Sequence, residues 1–286
     1  MNNQELITML NRDLADEHAA IIRYLVHGYL EGEDTPIGAS LLSRAREEMW
    51  HMHWLGMIIG QMGGEPDLKP APYPFDPTSR ASLLRSYVAY EKKLIPHYHG
   101  EAERASDPHL RRVLHREAWE SEIHAVKFQR LLDKLSPEQA KGVPGAENEL
   151  PAGLTDKLQH IIEAKYTQML QAVRDSWVFQ TSPMTGWQIM DFSMTKMKQL
   201  AHVAEEVTDN GIEPRLRLGK IDKSVAIGVS LRRALEDVNK IRQMHIDLKN
   251  DRETEGHSGL RNNLDLSIQQ EEYEAQEIED WLRSEK

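Results

Sequence analysis

The stretch REEMWHMHW, residues 46–54, sets the reading of this chain. Inside it Glu48 and His51 stand three apart, so on a helix both project from one face and can bind one ion or a bridged pair. Related residues flank it. Glu17 lies in an apolar stretch upstream, Glu91 in another downstream, and His124 follows. Two isolated glutamates on separate helices, each followed by a helix with Glu and His three apart, is how a four-helix bundle assembles a two-metal carboxylate site in its core. One position departs from this pattern. Before His124, where a second glutamate is needed, the chain carries Ser121.

Working outward, the first half holds four amphipathic stretches. Leu6, Met9, Leu10, Leu14, Ile21, Leu25 and Leu30 follow a helical period, and Gly28, Gly32 and Asp34-Thr35-Pro36 mark its end. A second helix is predicted over 37–61, stopping at Gly63-Gly64, and a third over 80–105. Asp107 is the expected N-cap of a fourth, with Pro108 at its first position. The links between helices one and two, and three and four, are short. The link from Gly63 to Ser79 carries Pro66, Pro70, Pro72, Pro74 and Pro77, so it should be extended. Pro96 is expected to kink the third helix one turn past Glu91. Sustained heptads are absent, which disfavours a long coiled coil.

A length of 286 residues exceeds one bundle and suggests two domains. Residues 136–153 read as an interdomain linker, giving domains at 1–136 and 153–286. Displacing the first half by 148 residues sets Glu65-Pro66 on Glu213-Pro214, Ser82-Leu83 on Ser230-Leu231, Met49 on Met197 and His97 on His245. A duplicated four-helix unit explains that register. The fold class is therefore all-α, two tandem bundles, each with a long crossover between its second and third helices.

The same displacement puts Lys196 at Glu48, Gln199 at His51 and Asn239 at Glu91, with Glu163 standing in for Glu17 and Glu271 and Glu274 near the fourth-helix positions. Without the histidines, and with a lysine ammonium among the carboxylates, the second half reads as structural. Hydrophobic residues make up 40% and charged residues 28%, ordinary for a globular chain with a core. No apolar run reaches the roughly 18 residues of a membrane span. The polar N-terminus lacks a signal-peptide core, and the absence of cysteine excludes thiolate metal sites and disulfides, so cytoplasm is the expected location. The charge of −11 speaks against broad nucleic-acid binding.

Glu17 and Glu91 each have a tyrosine seven residues on, Tyr24 and Tyr98, two turns along the same face. That repeat is a pseudo-twofold signature of the kind a bridged metal pair requires. Residues 1 to about 135 here resemble the ferritin-like superfamily, particularly bacterioferritin- and rubrerythrin-type di-iron proteins; the second half is similar in architecture only. The resemblance implies that Glu17 and His51 bind one iron, Glu91 and His124 the other, and Glu48 bridges. It also implies a glutamate at Ser121, for which Glu120 could substitute through a π-bulge, whereas Glu122 points elsewhere. Oxygen and imidazole ligands suit iron or manganese, with zinc an option. Met49 occupies the position of the haem-ligating methionine of bacterioferritins, so Met49 and Met197 could sandwich a haem, although methionine at such interfaces is usually a gap-filler. Trp50, Trp54 and Trp119 are expected in packing.

The function implied is an oxidoreductase that uses dioxygen or peroxide, as a ferroxidase or as an oxidase or oxygenase of a small molecule. A metal-free scaffold or binding bundle with leftover acidic groups is the alternative. Substrate, reductant and assembly, a homodimer among the options, are left open by the sequence.

Overall fold

The computed structural model describes residues 2–145, 150–182 and 185–284, without the side chain of Thr185. Among them the chain is all-helical. It divides into two compact units, residues 1–146 and 147–286.

In the first unit, α1 (Asn3–Glu31), α2 (Pro36–Gln61), α3 (Arg80–Arg104) and α4 (Pro108–Lys134) pack side by side. Side chains fix where each helix starts. Asn2 and Glu5 form a reciprocal capping box on α1, while Thr35, Ser79 and Asp107 each accept from the backbone N–H three residues on. Pro36 and Pro108 sit in the first turn, where a missing N–H costs nothing. Gly32 ends α1 with φ 86°, a left-handed conformation that favours glycine. Helices α1 and α2 meet through Gly28 and Gly38, where a side chain on Gly38 would overlap the Gly28 and Gly32 carbonyls.

Between α2 and α3 the chain runs from 62 to 79 with neither helix nor strand, as its prolines dictate. This crossover is clamped to α1: the Asn11 amide donates to Glu65 O at 3.0 Å and accepts from Asp67 N at 2.7 Å. Leu10, Leu14, Leu41, Leu55, Leu114 and Phe128 fill the core, each worth ~1.5–3 kcal/mol when removed from water. Helix α3 passes through Pro96 as one continuous helix. In the stretch expected as linker, residues 137–141 form a short helix, α5 (Pro137–Lys141), that packs on α3; residues 146–149 lie outside the described residues.

The second unit contains α6 (Ala152–Val178), α7 (Thr185–Thr208), α8 (Ile227–Lys249) and α9 (Ser258–Ser284). Its core includes Phe192, Leu231, Val238, Ala275, Ile278 and Trp281. Helix α6 pairs with α7, and α8 with α9. An equivalent clamp holds its crossover, since Gln159 donates to Glu213 O at 2.9 Å and accepts from Arg215 N at 2.7 Å. Adding 148 to 11, 65 and 67 gives 159, 213 and 215.

Burial shows that this offset holds for α6 and α7 and changes beyond them. On α8 the buried Leu231, Val238, Ile241, His245 and Leu248 match buried Leu84, Glu91, Leu94, Tyr98 and Glu101 at an offset of 147. On α9 the buried Leu260, Leu264, Glu271, Glu274 and Ile278 match Leu110, Leu114, Ser121, His124 and Phe128 at 150. Three expected correspondences are thereby corrected. Glu91 corresponds to Val238, with Asn239 exposed; Leu231 matches Leu84, so Ser230-Leu231 does not fall on Ser82-Leu83; and His245 matches Tyr98 rather than His97.

Candidate metal centre

Four helices bring Glu17, Glu48, His51, Glu91 and His124 together in the core of the first unit, each at most 2% exposed. They form two overlapping triads, Glu17–Glu48–His51 and Glu48–Glu91–His124, with one ligand atom per residue within 4.8 Å of the others. Glu48 belongs to both. His51 Nδ1 lies 3.2 Å from Glu17 and 2.8 Å from Glu48; His124 Nδ1 lies 2.8 Å from Glu48 and 3.3 Å from Glu91. The two imidazoles stack, with centroids 6.5 Å apart and planes 18° apart.

The outer ring nitrogens are also tied. His51 Nε2 meets Glu120 at 2.5 Å, and His124 Nε2 meets Glu47 at 2.7 Å. A carboxylate on the far nitrogen fixes the tautomer that turns Nδ1 inward and raises its basicity. Tyr24 donates to Glu91 at 2.5 Å, and Tyr98 donates to Glu17. Each tyrosine therefore serves the glutamate of the other helix: Tyr24 of α1 reaches Glu91 of α3, and Tyr98 of α3 reaches Glu17 of α1.

Electrostatics here are strained by desolvation. Burial, and then the neighbouring Glu48, push Glu17 up to about 8; the same two causes raise Glu91. Glu48 goes the other way: burial opposes it, but His124 and His51 hold it well below the usual carboxylate range. Against its own burial, His124 is driven up to about 12 by Glu48 and Glu47. Without metal the inner nitrogens therefore carry protons that a cation would displace, so binding releases protons.

Glu120 does not take the place open at Ser121. Helix α4 is α-helical throughout, without a π turn, and leaves Glu120 on the outer edge of His51, where that imidazole holds it down to about 2. Ser121 itself is buried. The carboxylate that sequence reasoning missed is Glu117, one turn earlier on the buried face. It is fully buried, and neither of its oxygens has a hydrogen-bond partner among the described residues. Burial raises it well above the usual range, with Glu17, Asp13 and Glu48 adding to the rise against His51. Its spacing was a usable signal: Glu117 stands seven residues, two turns, before His124. Glu47 was also missed, since the outer partner of a histidine leaves no fixed spacing.

Each of the two triads could hold a metal ion. Glu91 Oε2 and both oxygens of Glu117 are buried without partners, and such desolvated acceptors are stabilised by a cation. Nothing equivalent marks the haem positions. Met49 and Met197 are each half-buried. Trp50 and Trp119 are 59% and 55% exposed, so they are not core packing, while Trp54 is half-buried with the Arg116 guanidinium 4.5 Å over its ring.

In the second unit the same positions neutralise themselves. Lys165 occupies the place of Glu17 and meets Glu271 at 2.7 Å; Glu163, expected there, sits half-buried with Arg217 at 3.8 Å. Lys196, at the place of Glu48, pairs with Glu274, and Gln199 donates to Glu274 at 2.6 Å. His245 lies 2.8 Å from Glu271. Among the described residues no helix is long and apolar enough to cross a membrane. No family model matches the chain, and no curated protein matches it.

Proposed function

We propose that the first unit is a ferritin-like di-metal carboxylate bundle, in tandem with a degenerate copy, and that it acts as an oxidoreductase toward dioxygen or peroxide. The observation that carries this reading is the sharing of Glu48 between two buried Glu/His triads. Glu17 and His51 would hold one ion, Glu91 and His124 the other, and Glu48 would bridge them. Glu117, one turn before Ser121, is buried outside the two triads with both oxygens unpartnered among the described residues. Iron suits this donor set, and so does manganese.

A redox-active pair supplies electrons to an oxidant and leaves the protein to fix geometry. The chain does that in three ways. Glu120 and Glu47 orient the two imidazoles, Tyr24 and Tyr98 hold one oxygen of Glu91 and Glu17, and the leucine core excludes water around them. Each tyrosine also offers a proton at a hydroxyl in contact with a ligand carboxylate, within reach of chemistry that consumes protons. Ferrous iron itself or a small organic molecule is the substrate class.

A metal-free reading has its own support, because His51 and His124 already form ion pairs with the carboxylates. Metal content and absorption spectra of the chain and of His51→Ala separate the two. About two irons per chain, with a near-ultraviolet charge-transfer band lost in the variant, supports the di-metal reading. No metal after purification, and none taken up anaerobically from ferrous iron, overturns it in favour of a scaffold.

A further inference from the structure

A second polar cluster lies one turn from the central one, toward the start of α1 and the end of α3. Asp13 precedes Glu17 by four residues on α1, while His97 and Glu101 stand four apart on α3, all turned into one space. One ligand atom from each lies within 4.8 Å of the others. His97 Nε2 is 3.0 Å from Asp13 Oδ1 and 3.5 Å from Glu101 Oε1.

Two features separate this cluster from an ordinary ion-pair network. Asp13 and Glu101 are buried, at 0% and 1% exposure, and their carboxyl groups bond to one another; Asp13 Oδ2 and Glu101 Oε2 have no N–H or hydroxyl donor among the described residues. The nearby guanidiniums do not reach those oxygens. Arg12 and Arg104 are both more than half exposed, and both engage Glu101 through Oε1. Two desolvated carboxyl groups beside an imidazole are costly unless a proton or a cation joins them, and a divalent cation can displace the shared proton.

We propose that Asp13, His97 and Glu101 form a third divalent-cation site, separate from the central cluster. Two carboxylates and one imidazole with open positions suit a transition-metal dication; calcium would require six to eight oxygens. The His97 side chain, 29% exposed, opens the site to solvent. The site stands independently of the di-metal reading.

The test uses the full chain, stripped with chelator and titrated with cobalt(II), followed by calorimetry and visible absorption. A triple variant, Glu48→Gln with His51→Ala and His124→Ala, disables the centre and should still bind one cobalt per chain. Adding His97→Ala, or His97→Gln as a milder change, should abolish that binding with helix content unchanged by circular dichroism. In the otherwise native chain His97→Ala should keep central binding. A triple variant that binds no cobalt, or binds one that survives both His97 changes, overturns the site. A native chain that binds a single cobalt, lost on His97→Ala, upholds the third site and overturns the di-metal reading.

Discussion

The two units bury polar groups at the same places and balance them in opposite ways. In the first, Glu17, Glu48, Glu91 and Glu117 converge on two histidines, and oxygens of Glu91 and Glu117 are left unpaired. In the second, Lys165 and Lys196 answer Glu271 and Glu274 directly, with Gln199 and His245 completing the set. Even the gap at Ser121 is inverted, since Glu271 is its counterpart on α9. The second unit thus shows what the core needs to be stable by itself, which is positive charge supplied by its own side chains. The first unit supplies less of it, and its Glu/His triads could hold a metal ion instead.

The strongest way to break this comparison is to remove a built-in cation. Lys196→Met strands Glu274, so the second unit should lose ~3–5 kcal/mol. Lys196→Met combined with Glu274→Gln should recover most of it. Hydrogen exchange read peptide by peptide should confine the loss to residues 150–284, with the first unit unaffected. A loss under ~1 kcal/mol would mean that the lysine does not balance the buried carboxylate.

Metal addition is the complementary perturbation. Manganese(II) or ferrous iron, the latter under anaerobic conditions, at a hundred times its dissociation constant should stabilise the first unit by ~2.7 kcal/mol for each ion bound. The second unit should not respond. Chelator should reverse the effect, and calorimetry resolving two transitions would see it. Equal stabilisation of both units, or of neither, would remove the contrast.

Acid sharpens it further in the second unit. Burial is the main reason His245 titrates below its usual 6.5, so the unfolded chain takes up that proton first and stability falls as pH drops below 6.5. Against its own burial, Glu271 is held low by His245 and Lys165, so its contribution is present above 4.5 and lost as pH falls through its folded value. Both slopes have the same sign. His245→Gln should flatten the range from 6.5 to 4.5 and keep the fall below it; denaturant midpoints across pH measure this. A variant with the native slope above 4.5 would assign the dependence elsewhere.

Much of this was legible in the residues. Apolar periods, capping residues and the proline run placed α1 to α4 to within a residue or two, and the spacing of Glu48 and His51 identified the face that carries the cluster. What was not legible has physical causes. A register counted at 148 cannot anticipate that the connection after α8, with its 3-10 turn at Arg252–Thr254, moves the α9 match to 150. Lysine is among the residues least expected inside, so Glu163 looked the better counterpart to Glu17 until Lys165 was seen paired in the core. Glu117 sits in a run of charged residues, and only packing distinguishes it from the exposed Glu122.

The smallest effect probes what the units have in common. Asn11 and Gln159 each close the same two backbone hydrogen bonds to their crossover, at 3.0 and 2.7 Å in one unit and 2.9 and 2.7 Å in the other. Truncation to alanine leaves a carbonyl and an N–H to find other partners, at ~1–2 kcal/mol. Asn11→Ala and Gln159→Ala should therefore cost similar amounts, each confined to its own unit, whether or not metal is present. If Asn11→Ala instead weakened metal binding by more than its cost in stability, the crossover of the first unit would be coupled to Glu17, six residues along the same helix. The clamp would then belong to the site rather than to the scaffold, and the division between shared architecture and divergent chemistry would have to be redrawn.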